Sequence, residues 1–176
     1  MQPNLGYYWR DFLGVTPDDA FVGGTDRHKR PVYVAQICGK RLTIGRIFDN
    51  KVTYELRGKE YSTTRFVKIL CTLQPQRLQW LPTSVDRFDK ENFVIGGCES
   101  GCATYVGRVK DYGEHFVGTV RIDVGQPGLL ITKNGFSIKY TAFEILSFYT
   151  EYSKRSVVKQ ELDERPIKKE IITQTS

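Results

Sequence analysis

Short alternations of apolar and polar residues, separated by turn-forming residues, run through most of this 176-residue chain. Pro31 to Gln36 (PVYVAQ) and Lys51 to Leu56 (KVTYEL) alternate with a period of two, which sends successive side chains to opposite faces of a strand. Asp26 to Arg30 reads as the turn before the first run, and Arg57-Gly58-Lys59 turns the second back into Glu60 to Leu70. Further on, Thr132-Lys133-Asn134-Gly135-Phe136 carries Asn-Gly, the strongest short hairpin signal because both residues tolerate positive φ. The pattern predicts antiparallel sheets built from hairpins, an all-β chain. Ten Tyr, ten Phe, sixteen Gly and a single Met suit pleated surfaces and turns better than helices.

The same phrase then occurs twice. Phe21-Val22-Gly23-Gly24 is answered by Val94-Ile95-Gly96-Gly97, Tyr33-Val34-Ala35-Gln36 by Tyr105-Val106-Gly107-Arg108, and Ile44-Gly45-Arg46 by Val117-Gly118-Thr119. Trp9 stands opposite Trp80, Asp26 opposite Glu99, and Phe66 to Leu70 opposite Ala142 to Leu146. The offset drifts only from about 71 to 76 residues, as duplicated strands joined by variable loops require. A domain over 1–150 follows, with one unit at about 7–73 and a second at about 78–150. Two pseudo-symmetric units of three or four strands each, packed together, bury faces that neither unit covers alone. The paired glycines read as turn geometry used twice, and the two Trp as matched packing residues between units. From Glu151 the chain becomes charge-dense and is broken by Pro166. Residues 151–176 are therefore an extension outside the core, either a short helix over Ser153 to Glu164 or a disordered tail.

Charge narrows the choice of partner. The net +6 comes entirely from residues 1–80, with 13 Lys and Arg against 7 Asp and Glu, while residues 81–176 hold 13 of each. Arg27, His28, Lys29, Arg30, Lys40 and Arg41 make a basic patch in the first unit. Such a patch favours an anionic partner: a peripheral lipid surface, an acidic protein or an anionic glycan. Nucleic acid ranks below these, since no single-strand recognition motif interleaves with the basic run. The N-terminus has no basic-then-apolar leader and no run approaches the roughly 18 apolar residues of a membrane span. The expectation is a soluble, cytoplasmic protein, with non-classical secretion left open. Cys38, Cys71, Cys98 and Cys102 are too few for a disulfide scaffold, and only His28 and His115 could join Cys98 and Cys102 at a metal, so no metal and no cofactor is expected. Neither His adjoins a nucleophile, no nucleophile elbow or phosphate-cradling loop occurs, and Glu55/Glu60 and Glu114/Asp123 read as solvated strand charges. The expectation is a protein that is not an enzyme.

The ordered set of an opening Trp (Trp9, Trp80), a Gly-Gly-x-acid stretch (Gly23, Gly24, Asp26; Gly96, Gly97, Glu99), Tyr-Val (Tyr33, Val34; Tyr105, Val106), a Gly-base corner (Gly45, Arg46) and a closing Phe-Glu-Ile-Leu (Phe143 to Leu146) resembles the DM9 repeat family. The resemblance implies an all-β tandem module and, by likeness to its mannose-binding lectins of invertebrate immunity, a carbohydrate ligand, a role in innate immunity and a homodimer. It also implies that Asp26 and Arg46 read the sugar together. A carboxylate accepts from two neighbouring hydroxyls while a cation donates to the same oxygens. Tyr33, Tyr54 and Tyr61 are candidates for the flat face under the ring. In the second unit Glu99 and Thr119 take the matched positions, and Thr119 is not a base, so the first unit is where a ligand is expected.

Overall fold

The computed structural model describes residues 6–88 and 92–149. Seven strands form the first copy: β1 (Tyr8–Asp11), β2 (Val22–Thr25), β3 (Pro31–Cys38), β4 (Leu42–Phe48), β5 (Lys51–Leu56), β6 (Lys59–Thr63) and β7 (Val67–Cys71). A single 3-10 turn at Pro75–Arg77 leads into the second, β8 (Leu78–Ser84), β9 (Ile95–Glu99), β10 (Cys102–Asp111), β11 (Glu114–Arg121), β12 (Gly128–Lys133), β13 (Phe136–Tyr140) and β14 (Ala142–Phe148). The fold is all-β. Each copy has more strands than the alternations suggested, because Glu60 to Leu70 breaks at Phe66, whose φ is 58°, and continues as a separate strand. The proposed extension at 151–176 lies outside the described residues.

Strand order exposes the duplication. The first copy runs β1-β7-β3-β4-β5-β6 and the second β8-β14-β10-β11-β12-β13, with β2 on β3 and β9 on β10. All pairings are antiparallel. Among the described residues, the copies join edge to edge only where the hairpin tips Arg57-Gly58 and Asn134-Gly135 meet. There Phe136 pairs with Lys59, Glu60 N–H donates to Gly135 O, and Ser137 N–H donates to Gly58 O. Asn134 and Gly135 both have positive φ, as the Asn-Gly signal requires.

Three cores hold the molecule. One belongs to the first copy (Ala35, Ile37, Ile47, Val52, Ile69), one to the second (Phe116, Val120, Leu129, Ile131, Ile145), and one is shared, with Val32, Val34, Ile44 and Leu70 meeting Val94, Val106, Val117 and Leu146. Period-two alternation explains this: odd residues of β3 face their own core and even residues the shared one. Trp9 and Trp80 pack half-buried against the shared core, in the packing role their symmetry suggested.

The paired glycines have a different cause from the one expected. Gly23, Gly24, Gly96 and Gly97 lie within β2 and β9, and none has positive φ. A Cβ on Gly24 would stand 2.4 Å from the Cβ of His115, and one on Gly97 would stand 2.3 Å from the Leu42 carbonyl oxygen. His115 and Leu42 are themselves matched positions on β11 and β4. These glycines let the copies approach each other; they do not shape a turn. Two further symmetric bonds lock the contact: Gln36 Nε2 donates to Gly96 O at 2.7 Å, and Arg108 Nη1 donates to Gly23 O at 2.8 Å.

Candidate functional site

Asp26 sits where the chain leaves β2 for β3, and it is only 3% exposed. Its Oδ1 accepts from the backbone N–H of His28 (2.9 Å) and of Arg30 (2.8 Å), and its Oδ2 accepts from Arg30 Nε at 2.9 Å. Burial alone would raise its carboxyl, but the bonds from Arg30 and His28 overcome that and hold it below the usual carboxylate range. The acid expected to read a sugar is therefore consumed by its own turn, the ordinary fate of Asp in such a loop.

The basic patch also divides. Arg27, His28, Lys29 and Arg30 are exposed at one end of β3, and Lys40 and Arg41 at the other. Eight strand residues lie between them, more than about 20 Å at roughly 3.3 Å per residue. They form two separate tips.

Arg46 has the opposite outcome to Asp26. Residues directly opposite in a ladder share a face, and Arg46 pairs with Thr53, Phe48 with Lys51, and Glu55 with Glu60. This polar row of the first copy faces the edge of β11, where the Arg46 guanidinium donates to Glu114 Oε1 at 2.9 Å and lies 4.6 Å from the centre of the Phe116 ring. Both partners are largely shielded, at 18% and 17% side-chain exposure. Around the pair is an open cavity of about 370 Å³, lined from the first copy by Arg27, Arg46, Phe48, Lys51, Thr53 and Glu60, and from the second by Glu114, Phe116, Lys133 and Asn134. Lys133 is engaged by Asp111 at 2.5 Å. Thr53 Oγ1 is buried and has no hydrogen-bond partner among the described residues, an uncommon state for a buried hydroxyl beside a cavity.

Glu114 and Glu60, which read in the sequence as solvated charges, thus line a cavity, and Phe48 and Phe116 take the place expected of a tyrosine. Tyr33 and Tyr54 pack against the first copy's core, and the exposed Tyr61 ring leans on Tyr54 at 6.0 Å. The polar alternation Lys51-Thr53-Glu55 was the available signal. It could not say that this face meets the other copy.

At the matched place in the second copy the residues are committed. Thr119 is buried and its Oγ1 accepts from Ile44 N–H at 3.0 Å. Arg121, two positions on, pairs with Glu99 at 2.6 Å and approaches Glu55 at 3.8 Å, and Glu99 is also bonded by Arg41. Glu55 and Arg41 come from the first copy, so an ionic cluster fills the region that is open around Arg46.

A family model describing the DM9 repeat matches residues 37–126. The chain belongs to the DM9 repeat family. The match runs from β3 of the first copy past β11 of the second, and so includes Arg46, Glu114 and Phe116, while Arg27, Lys133 and Asn134 of the cavity lining lie outside it. DM9 repeats are associated with carbohydrate-binding, lectin-like modules. A comparison with curated proteins returns no match.

Among the described residues no three His, Cys, Asp or Glu side chains gather as metal ligands, and no helix is long and apolar enough to cross a membrane. The four cysteines are free thiols; burial, with the Asp19 carboxylate, pushes that of Cys71 up to about 12. His115 Nδ1 accepts from Thr25 N–H at 3.0 Å, and burial, followed by the nearby Arg108 charge, lowers its pKa.

Proposed function

We propose that the protein is a non-enzymatic carbohydrate-recognition module that reads neighbouring hydroxyls of a mannose-type sugar in the cavity between its two copies. The observation that carries this reading is the Arg46–Glu114 pair beside Phe116 at the open cavity. The carboxylate accepts from a diol, the guanidinium donates to its oxygens, and an aromatic ring offers an apolar face. The acid of the reading pair is thus Glu114 from the second copy, in place of Asp26. The cavity volume lies at the small end of the range for small-molecule sites, about 300–1,000 Å³, suited to one or two sugar rings. A single polar site of this kind binds weakly, and homodimerisation or a multivalent glycan surface, as in immune recognition, would supply avidity.

Calorimetry with methyl mannoside and a glycan array tests the reading. Binding that disappears in Arg46→Ala and Glu114→Gln, but persists in folded Asp26→Asn, supports it. Absence of any sugar binding, or binding indifferent to Arg46 and Glu114, overturns it. Release of free sugar from the array would overturn the non-enzymatic part.

A further inference from the structure

The Arg46 cavity is electrically lopsided. Its lining holds four cations, Arg27, Arg46, Lys51 and Lys133, against two carboxylates, Glu60 and Glu114. Arg46 is matched by Glu114 and Lys133 by Asp111. Arg27, Lys51 and Glu60 form no ion pair with any described residue, and register places them apart. Lys51 opens β5 opposite Phe48, whereas Glu60 stands opposite Glu55, four residues further along, about 13 Å at 3.3 Å per residue.

Arg27 belongs to the Lys51 end. It lies in the tip between β2 and β3, and Arg30 of the same tip stacks 4.6 Å from the Phe48 ring. Asp26, the acid of that tip, is saturated by Arg30 and His28, and Asp49 lines a different cavity. One end of the site therefore presents two uncompensated cations, the middle presents the Arg46–Glu114 pair with the unpartnered Thr53 hydroxyl, and the only free carboxylate is at the far end.

From this layout, and building on the carbohydrate reading above, we infer that the site takes a sugar carrying an anionic substituent, a carboxylate or a phosphate ester. The diol meets Arg46 and Glu114 while the anion meets Lys51 and Arg27. A neutral hexose leaves that second set unused. A charge-assisted bond to an ammonium or guanidinium is about twice as strong as a neutral one, and its strength falls as salt screens exposed charge.

Calorimetric titrations of the full chain with methyl mannoside, mannose 6-phosphate, methyl glucuronide and inorganic phosphate, each at low and high salt, decide the matter. The expected result is a preference for the charged sugars over methyl mannoside of about tenfold, equivalent to ~1.4 kcal/mol, that shrinks with added salt. The double variant Lys51→Gln with Arg27→Gln, both exposed positions, should erase the preference and leave methyl mannoside binding intact. The two charged sugars tell a phosphate-bearing ligand from a carboxylate-bearing one. Equal affinity for neutral and charged sugars, or a preference that survives the double variant, overturns this inference and leaves the carbohydrate reading standing. Phosphate binding as tightly as mannose 6-phosphate also overturns it, because the sugar then adds nothing. Failure of every sugar to bind overturns both.

Discussion

The two copies of this DM9 chain place different chemistry on one backbone plan. Around Arg46 the facing strands leave an open cavity, with a cation held by Glu114 over an aromatic ring. At the matched position the chain has Thr119, which spends its hydroxyl on the Ile44 backbone, and Arg121 closes the space with Glu99 and Glu55. Duplication therefore gave two equivalent places, of which one is left open as a cavity, the proposed recognition site, and the other is closed as a clasp. The difference between a site and a joint rests on a few side chains at the same register.

The glycines test what the copies have in common, and they carry the largest effect. Gly97→Ala should destabilise by about 3 kcal/mol, at the upper end for overpacking, because its new methyl meets the Leu42 carbonyl, a backbone atom that cannot swing aside. Gly24→Ala, against His115, should cost a comparable amount; urea unfolding measures both, and a loss below 1 kcal/mol in either would show that the copies have room to separate.

Arg46→Thr gives the first copy the residue of the second. It should weaken sugar binding about 30-fold, or ~2 kcal/mol, with little change in the urea midpoint, whereas Thr119→Val should spare binding and cost about 1–2 kcal/mol of stability by orphaning Ile44 N–H. Swapped outcomes would mean that the roles of the two places have been exchanged. Removing the clasp acid with Glu99→Gln should cost about 1 kcal/mol, since Arg41 loses its partner and Arg121 keeps only the longer contact to Glu55.

The smallest effect is a pH dependence that arises where His115 of the second copy meets Gly24 and Thr25 of the first. The folded pKa of His115 is lowered from 6.5, so the unfolded chain binds the proton more readily. Its contribution to stability is complete above pH 6.5 and is lost as pH falls below that value toward the folded pKa. Thermal melts between pH 7 and 5 should show the decline, and His115→Leu, which copies Leu42, should flatten it. An unchanged slope in His115→Leu would assign the decline to other groups.

Much of the fold was legible because strand alternation and turn residues are local. The double occurrence of Gly-Gly and Tyr-Val gave the tandem arrangement, and Asn134-Gly135 gave a hairpin where one stands. The site was only half legible. Arg46 is part of a repeated motif and could be singled out, but its partner Glu114 is 68 residues away, and no local rule pairs two copies across an interface. Asp26 shows the converse: a motif position suggests a role that four short hydrogen bonds and ion contacts to its own turn have taken up. The basic residues read as one patch because sequence proximity hides the length of β3 between them.

The shared core has a consequence for how the chain is made. Its bonds join residues far apart in sequence, Gln36 to Gly96, Ile44 to Thr119 and Gly23 to Arg108. At roughly 5–20 residues per second on the ribosome, the first copy emerges several seconds before the strands that cover Val32, Val34, Ile44 and Leu70. For that interval its inner face is an exposed apolar surface. Long-range closure of this kind is slow and exposes such a surface to chaperones and to neighbouring nascent chains, so shielding the first half while the second half is translated should raise the folded yield.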